Sequence, residues 1–149
     1  MKRFAIVGLV GLLVIGIGLT TLAGKPLLRA HGEIETELHL AGQWFSIQLT
    51  FNVQDRGEDD HGNLSMRIFD NWTGKLVAVG ITYGKMDVYP IGDWVFFASP
   101  LRTTYFDEEY YLPLHLDVVW FQAYDGGADD QFRILNAFVP VLKGKISVK

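Results

Sequence analysis

From residue 34 onward the chain alternates. Ile34, Thr36, Leu38 and Leu40 fall on one side of an extended backbone, and Glu35, Glu37 and His39 on the other. Phe45, Ile47, Leu49, Phe51 and Val53 repeat the pattern against Ser46, Gln48, Thr50 and Asn52. A period of two over this length marks a strand with one buried face, because successive side chains leave an extended backbone on opposite sides. Ala41-Gly42-Gln43 separates the two runs and predicts a hairpin. The same reading places further strands at about 63–69, 75–83, 86–89, 94–99, 114–124, 131–135 and 145–148. Turn residues fill the breaks between them: Asp70-Asn71-Trp72-Thr73-Gly74, Gly84-Lys85, Ile91-Gly92-Asp93, Asp125-Gly126-Gly127 and Gly144. Beyond residue 24 there is no sustained apolar stripe of helical period. The pattern predicts an all-β fold, an antiparallel β-sandwich or flattened barrel of about eight or nine strands. The aromatic residues on those strands suit a core between two sheet faces. Residues 101–113, LRTTYFDEEYYLP, fit neither a hairpin turn nor a plain solvated loop, and read as an extra edge ribbon or a lid.

A different pattern precedes the strands. Residues 4–24, FAIVGLVGLLVIGIGLTTLAG, carry no charge at all. At about 1.5 Å per residue a helix of this length crosses a bilayer. The chain is therefore predicted to begin with one hydrophobic helix, read either as a retained transmembrane anchor or as a signal peptide cleaved near Thr21-Leu22-Ala23. Either reading divides the chain into residues 1–24, a short linker at 25–32 broken by Pro26 and Gly32, and an extracytoplasmic β domain at 33–149. If the segment is uncleaved, the membrane is a partner through residues 4–24. Lys2 and Arg3 before the run are nearly balanced by Lys25 and Arg29 after it, so the outward placement rests on the domain that follows.

Residues 31–149 carry 17 acidic and 9 basic side chains, a net charge of −8. Nucleic acid and anionic membrane surfaces reward clustered Lys and Arg, so this balance argues against both as partners. The chain has no cysteine, which excludes disulfides, thiolate-held zinc, a thiol nucleophile and a lipidated cysteine. An exported domain of this kind depends on its core alone.

Three segments in order carry a resemblance: GNLSMRIFDNWTGKLV (62–77), YDGGADDQFRI (124–134) and the closing GKISVK (144–149). Together they resemble a secreted β-domain of bacterial surface proteins, of the post-COAP type, over about residues 44–149. In that pattern a strand ends in an Asp-x-x-Thr-Gly turn. A later strand ends in an Asp-Gly loop followed by Asp-x-Phe-x-Ile, and the chain closes on a Gly-led strand. Here the Asp-Gly loop is shorter than usual, and residues 101–113 are an insertion of this chain's own. The resemblance implies export and a β-sandwich and supplies no catalytic residue.

Candidate chemistry concentrates in acidic loops. Asp125, Asp129 and Asp130 offer carboxylates to a calcium ion, and Gly126 and Gly127 allow a tight backbone path around it. Their spacing is not that of an EF-hand loop, and calcium takes about six to eight oxygens. The plainer reading is a turn that leads Phe132 and Ile134 into the core, leaves Gln131 and Arg133 outward, and lets the aspartates fan into water. Two further acidic stretches are Gln54-Asp55-Arg56-Gly57-Glu58-Asp59-Asp60-His61 and Asp107-Glu108-Glu109. If every strand reverses the chain, these two share one end of the fold, and the 125–130 loop shares the other with Asp70 and Asp93.

His31, His39, His61 and His115 form no metal-ligand spacing. His115 and Asp117 sit two apart on one predicted strand face, where a carboxylate orients a base, but no serine stands in a nucleophile-elbow context. Trp72 at a turn and Trp44 at a strand start suit contact with a carbohydrate or protein partner if they are exposed. Three functions follow. The leading one is a non-enzymatic β-sandwich displayed outside the membrane for binding or surface structure, without a cofactor. The others are a small β-barrel carrier of a hydrophobic ligand and a hydrolase.

Overall fold

The computed structural model describes residues 27–114, 118–135 and 137–149. The expectations of an N-terminal helix, an anchor or a cleaved signal, and the pair His115 and Asp117, lie outside the described residues. No helix among the described residues is long and apolar enough to cross a membrane.

The protein is all-β. Ten strands form one antiparallel sheet: β1 Leu28–Leu40, β2 Gln43–Asp55, β3 His61–Asp70, β4 Leu76–Thr82, β5 Asp87–Ile91, β6 Trp94–Tyr105, β7 Val118–Tyr124, β8 Gln131–Ile134, β9 Ala137–Val139 and β10 Lys143–Val148. The order across the sheet is β10-β1-β2-β3-β4-β6-β7-β8-β9, with β5 beside β6, and it does not close.

The longest pairing is the β1–β2 hairpin, in register from Leu28↔Asp55 to Leu40↔Gln43. Its two-residue turn puts Ala41 at φ 50° and Gly42 at φ 80°, both in the left-handed backbone region, and a turn of this kind suits the right-handed twist of the flanking strands. Phe45, Ile47, Leu49, Phe51 and Val53 are all buried, while Gln48 and Thr50 are exposed, as the period-two pattern predicts. Phe132 and Ile134 are buried in the same way, with Gln131 outward. Arg133, expected outward, is half-buried, its guanidinium over the rings of Trp94 and Phe138 at 4.4 and 3.8 Å from their centroids.

The inward faces of the two halves of the sheet meet. The Phe51 ring of β2 packs against Phe97 of β6 at 5.3 Å and Phe132 of β8 at 5.6 Å between centroids. Phe121 of β7 completes the group, 5.2 Å from Phe97 and 5.8 Å from Phe132. Burying each such ring is worth about 1.5–3 kcal/mol. Gly32 stands opposite, since a Cβ there would meet the Phe51 ring at 2.6 Å.

Five expectations need correction. There are ten strands, not eight or nine, because β9 is only three residues long and too short to show a period. Residues 28–32, expected as linker, are the start of β1: their alternation is short, but β2 and β10 supply partners on both sides. Residues 101–105 are neither ribbon nor lid but the second half of β6, paired with β4. They are followed by a 3₁₀ turn at Glu108–Tyr110 and a single helical turn, α1, at Tyr111–Leu114, where a strand start was expected. Finally, β4 and β5 both run antiparallel to β6, one after the other along it. The chain passes Gly84-Lys85 without reversing, so counting a reversal at each strand mislocates every loop beyond that point.

Candidate functional site

The loop between β7 and β8 brings its aspartates to bear on protein backbone. Asp125 Oδ1 accepts from the Gly127 N–H at 3.2 Å and its Oδ2 from the Val148 N–H at 3.1 Å. Asp130 Oδ1 accepts from the Gly126 N–H at 3.1 Å and its Oδ2 from the Ile146 N–H at 2.6 Å. Each carboxylate thus closes its own loop with one oxygen and holds β10 with the other. Because β10 stands at one end of the strand order, the amides it turns away from β1 have no strand to receive them, and these carboxylates stand in for one. The Val148 amide first, and then that of Gly127, hold the Asp125 carboxyl below the ordinary carboxylate value. Asp129 is exposed, as expected, but Asp125 and Asp130 do not fan into water. Among the described residues no group of three or more His, Cys, Asp or Glu side chains is placed to hold a metal ion.

The loop between β2 and β3 repeats the device. Asp60 Oδ1 accepts from the Arg56 N–H at 3.0 Å, and Oδ2 from the Val88 N–H of β5 at 2.7 Å. This loop lies at the end of the sheet where β1 begins, since Leu27 donates its N–H to the Asp55 carbonyl at 2.8 Å. Leu28, Asp93 and Asp125 line one hollow at that same end.

The opposite end is organised by Asp70, the last residue of β3 and only 3% exposed. Its Oδ1 accepts from the N–H groups of Trp72 and Thr73 at 2.8 and 2.9 Å, which forms the turn. Its Oδ2 accepts from the Tyr110 hydroxyl at 2.7 Å and from the Gln43 side-chain amide. The tyrosine hydrogen bond is the main cause that holds Asp70 below the ordinary carboxylate value, and Asp70 in turn raises Tyr110. Nearby, Asp107 caps the 3₁₀ turn by accepting from the Glu109 N–H at 3.2 Å and pairs with Lys75 at 3.1 Å. The 107–109 stretch therefore sits with Asp70, and the 55–60 stretch with Asp93 and Asp125. Asp93 and Asp125 share an end as expected, but the 55–60 and 107–109 stretches are parted and Asp70 stands away from Asp93 and Asp125, for the reason given by β4 and β5.

Trp72 is 95% exposed at the tip of its turn, and Trp44 is half-exposed, its ring 5.0 Å from that of His39.

A feature that the motifs do not indicate lies on the outward face of β10, β1, β2 and β3. There the sheet forms an open hollow of about 1000 Å³. Rows of side chains cross it in register: Lys143, Glu35, Gln48 and Arg67 in one row, and Lys145, Glu33, Thr50 and Ser65 in the next. Single strands show these only as ordinary outward positions. The signal that finds them is the lateral register, which brings β10, the last strand in sequence, beside β1.

No protein-family model, no curated protein and no solved structure matches this chain.

Proposed function

We propose that the protein is a non-enzymatic β-sandwich domain carried outside the cytoplasm by residues 4–24, retained as an anchor or cleaved as a signal, where it serves as a binding or structural module of the cell surface. The observation that carries this reading is the uncharged 21-residue run immediately ahead of a domain with a net charge of −8. The contacts of Phe51 with Phe97 and Phe132 support a sandwich, since the two halves of the sheet share one aromatic interior. A filled interior of this kind also speaks against a carrier's cavity. The likeness to exported β-domains of the post-COAP type is of a piece with this address.

A retained anchor has a geometric consequence. β1 begins at Leu28, so only residues 25–27 separate it from the apolar run. The end holding Leu28, Asp93 and Asp125 then faces the bilayer, and the Asp70 end with Trp72 points away from it. The test is a reporter fused after Lys149 that is active only outside the cytoplasm, read together with fractionation. Reporter activity in the membrane or outside fraction is expected. A soluble cytoplasmic product with an intact N-terminus overturns the reading.

A further inference from the structure

We infer that the outward hollow across β10, β1, β2 and β3 is a binding site for an acidic polysaccharide of the uronate type. The inference rests on the extracytoplasmic reading above and names the ligand such a surface module would meet. Its first support is charge. The hollow is lined by Arg29, Arg67, Lys143 and Lys145, four of the ten Lys and Arg residues beyond Leu28, but by only two of the seventeen acidic residues, Glu33 and Glu35. In a domain this acidic, one face carries a local positive excess, and such a concave patch focuses potential on an anionic ligand.

Its second support is the chemistry between the charges. Gln48, Thr50, Asn52, Ser65 and Ser147 fill the hollow with amides and hydroxyls that both donate and accept. That mixture matches a chain of sugars, with hydroxyls between widely spaced carboxylates. Arg67 offers a planar fork for bidentate hydrogen bonds to a carboxylate, and its guanidinium lies over the Phe69 ring at 5.4 Å to the centroid. From β10 to β3 the hollow crosses three strand gaps, roughly 14 Å, room for a short run of sugar units.

Its third support concerns what the surface would refuse. Two rings line the hollow, Phe51 buried beneath it and the exposed imidazole of His31, so nucleic acid meets no Trp, Tyr or exposed Phe and no row of rings on which successive bases could stack. Glu35 pairs with Lys143 at 3.6 Å, and Glu33 lies opposite Lys145 in the register. The two glutamates temper the cations locally, which disfavours a densely charged phosphate polymer and suits one with a single carboxylate per sugar.

The test uses the full chain in detergent micelles, with polygalacturonate, uncharged dextran and polyphosphate as probes in titration calorimetry. Saturable binding of polygalacturonate is expected. It should weaken about tenfold or more in the Arg67→Gln, Lys145→Gln double variant and stay unchanged in Lys85→Gln, with no binding of dextran. Both substituted sites are exposed, and an unchanged melting temperature will show that the double variant is folded. The inference is overturned by absence of polygalacturonate binding to the folded protein, by equal binding to the double variant, or by polyphosphate binding as strong and as sensitive to the variant. None of these outcomes touches the address of the chain, which the reporter fusion decides separately.

Discussion

Two turns of this protein look alike in sequence and do different work. Asp70-Asn71-Trp72-Thr73-Gly74 and Asp125-Gly126-Gly127 each follow a strand with an aspartate and a glycine. The first aspartate is buried, and side chains from two distant elements, Gln43 and Tyr110, complete its shell. The second is partly exposed and, with Asp130, reaches the backbone of a strand that ends the sheet. One carboxylate pins a long excursion of the chain; the other pair substitutes for a missing strand. The turn is local in both cases, but what the carboxylate achieves is decided by what the fold sets opposite it.

The comparison predicts unequal damage. Asp70→Ala leaves the Trp72 and Thr73 amides, the Gln43 amide and the Tyr110 hydroxyl without their acceptor, and the Tyr110 hydroxyl is buried. Orphaned buried donors are costly, and the melting temperature should fall by roughly 10 °C or more. Tyr110→Phe removes one donor and should cost less than half as much. If Asp70→Ala melts within a few degrees of the parent in a thermal scan, the 3₁₀ turn is not held through Asp70.

At the other end, an Asp125→Ala, Asp130→Ala double variant frees the Ile146 and Val148 amides, whose bonds to the carboxylates are only partly buried. A fall of roughly 5 °C is expected. The sharper readout is hydrogen exchange: these two amides should exchange faster in the double variant and keep their protection in Asp70→Ala. Unchanged exchange at Ile146 and Val148 would break the claim that the aspartates hold β10.

Acid should weaken both ends together. Asp70 and Asp125 both titrate below the ordinary value of 3.8, so the unfolded chain takes up protons at a higher pH than the native one does. Stability from these groups is fully present above that value and is lost as pH falls through it toward the lowered values. The melting temperature should be flat from about pH 7 to 5 and decline below about pH 4. The decline should be shallower in either variant, from its lower starting point, because each has lost one depressed carboxyl. A variant with the parent's slope would show that its aspartate is not linked to folding.

How much of this was legible in the chain depends on the distance to the deciding partner. The burial of Phe45 through Val53 needs only the alternation within β2, and the turn at Gly126-Gly127 only its own residues. Residues 28–32 look like linker until β10, more than a hundred positions away, is set beside them. Tyr110 reaches Asp70 across 40 positions, and the amides of Ile146 and Val148 lie 16 and 23 positions from Asp130 and Asp125. No local pattern marks such pairs. The grouping of the loops failed at a single point, the unreversed passage through Gly84-Lys85, where the turn residues are present but the chain continues along β6. The basic hollow was hidden for the same reason as the strand start, since half of its positive charge comes from β10.

The smallest effect belongs to Asp129, and it decides whether the 125–130 loop has any role beyond holding β10. Asp129 is exposed, while its neighbours spend their oxygens on Gly126, Gly127, Ile146 and Val148. A calcium ion in this loop would have to draw Asp125 and Asp130 away from β10 to reach about six oxygens, and would thereby undo the bonds that close the end of the sheet. Asp129→Ala should therefore shift the melting temperature by less than about 2 °C, within the ordinary range of surface substitutions. Millimolar calcium should leave the parent and the variant equally stable, since an ion that stabilises must bind the native loop better than the unfolded chain. A saturable rise in the parent's melting temperature with calcium, absent in Asp129→Ala, would turn the loop from a strand surrogate into a metal site and erase the contrast with Asp70.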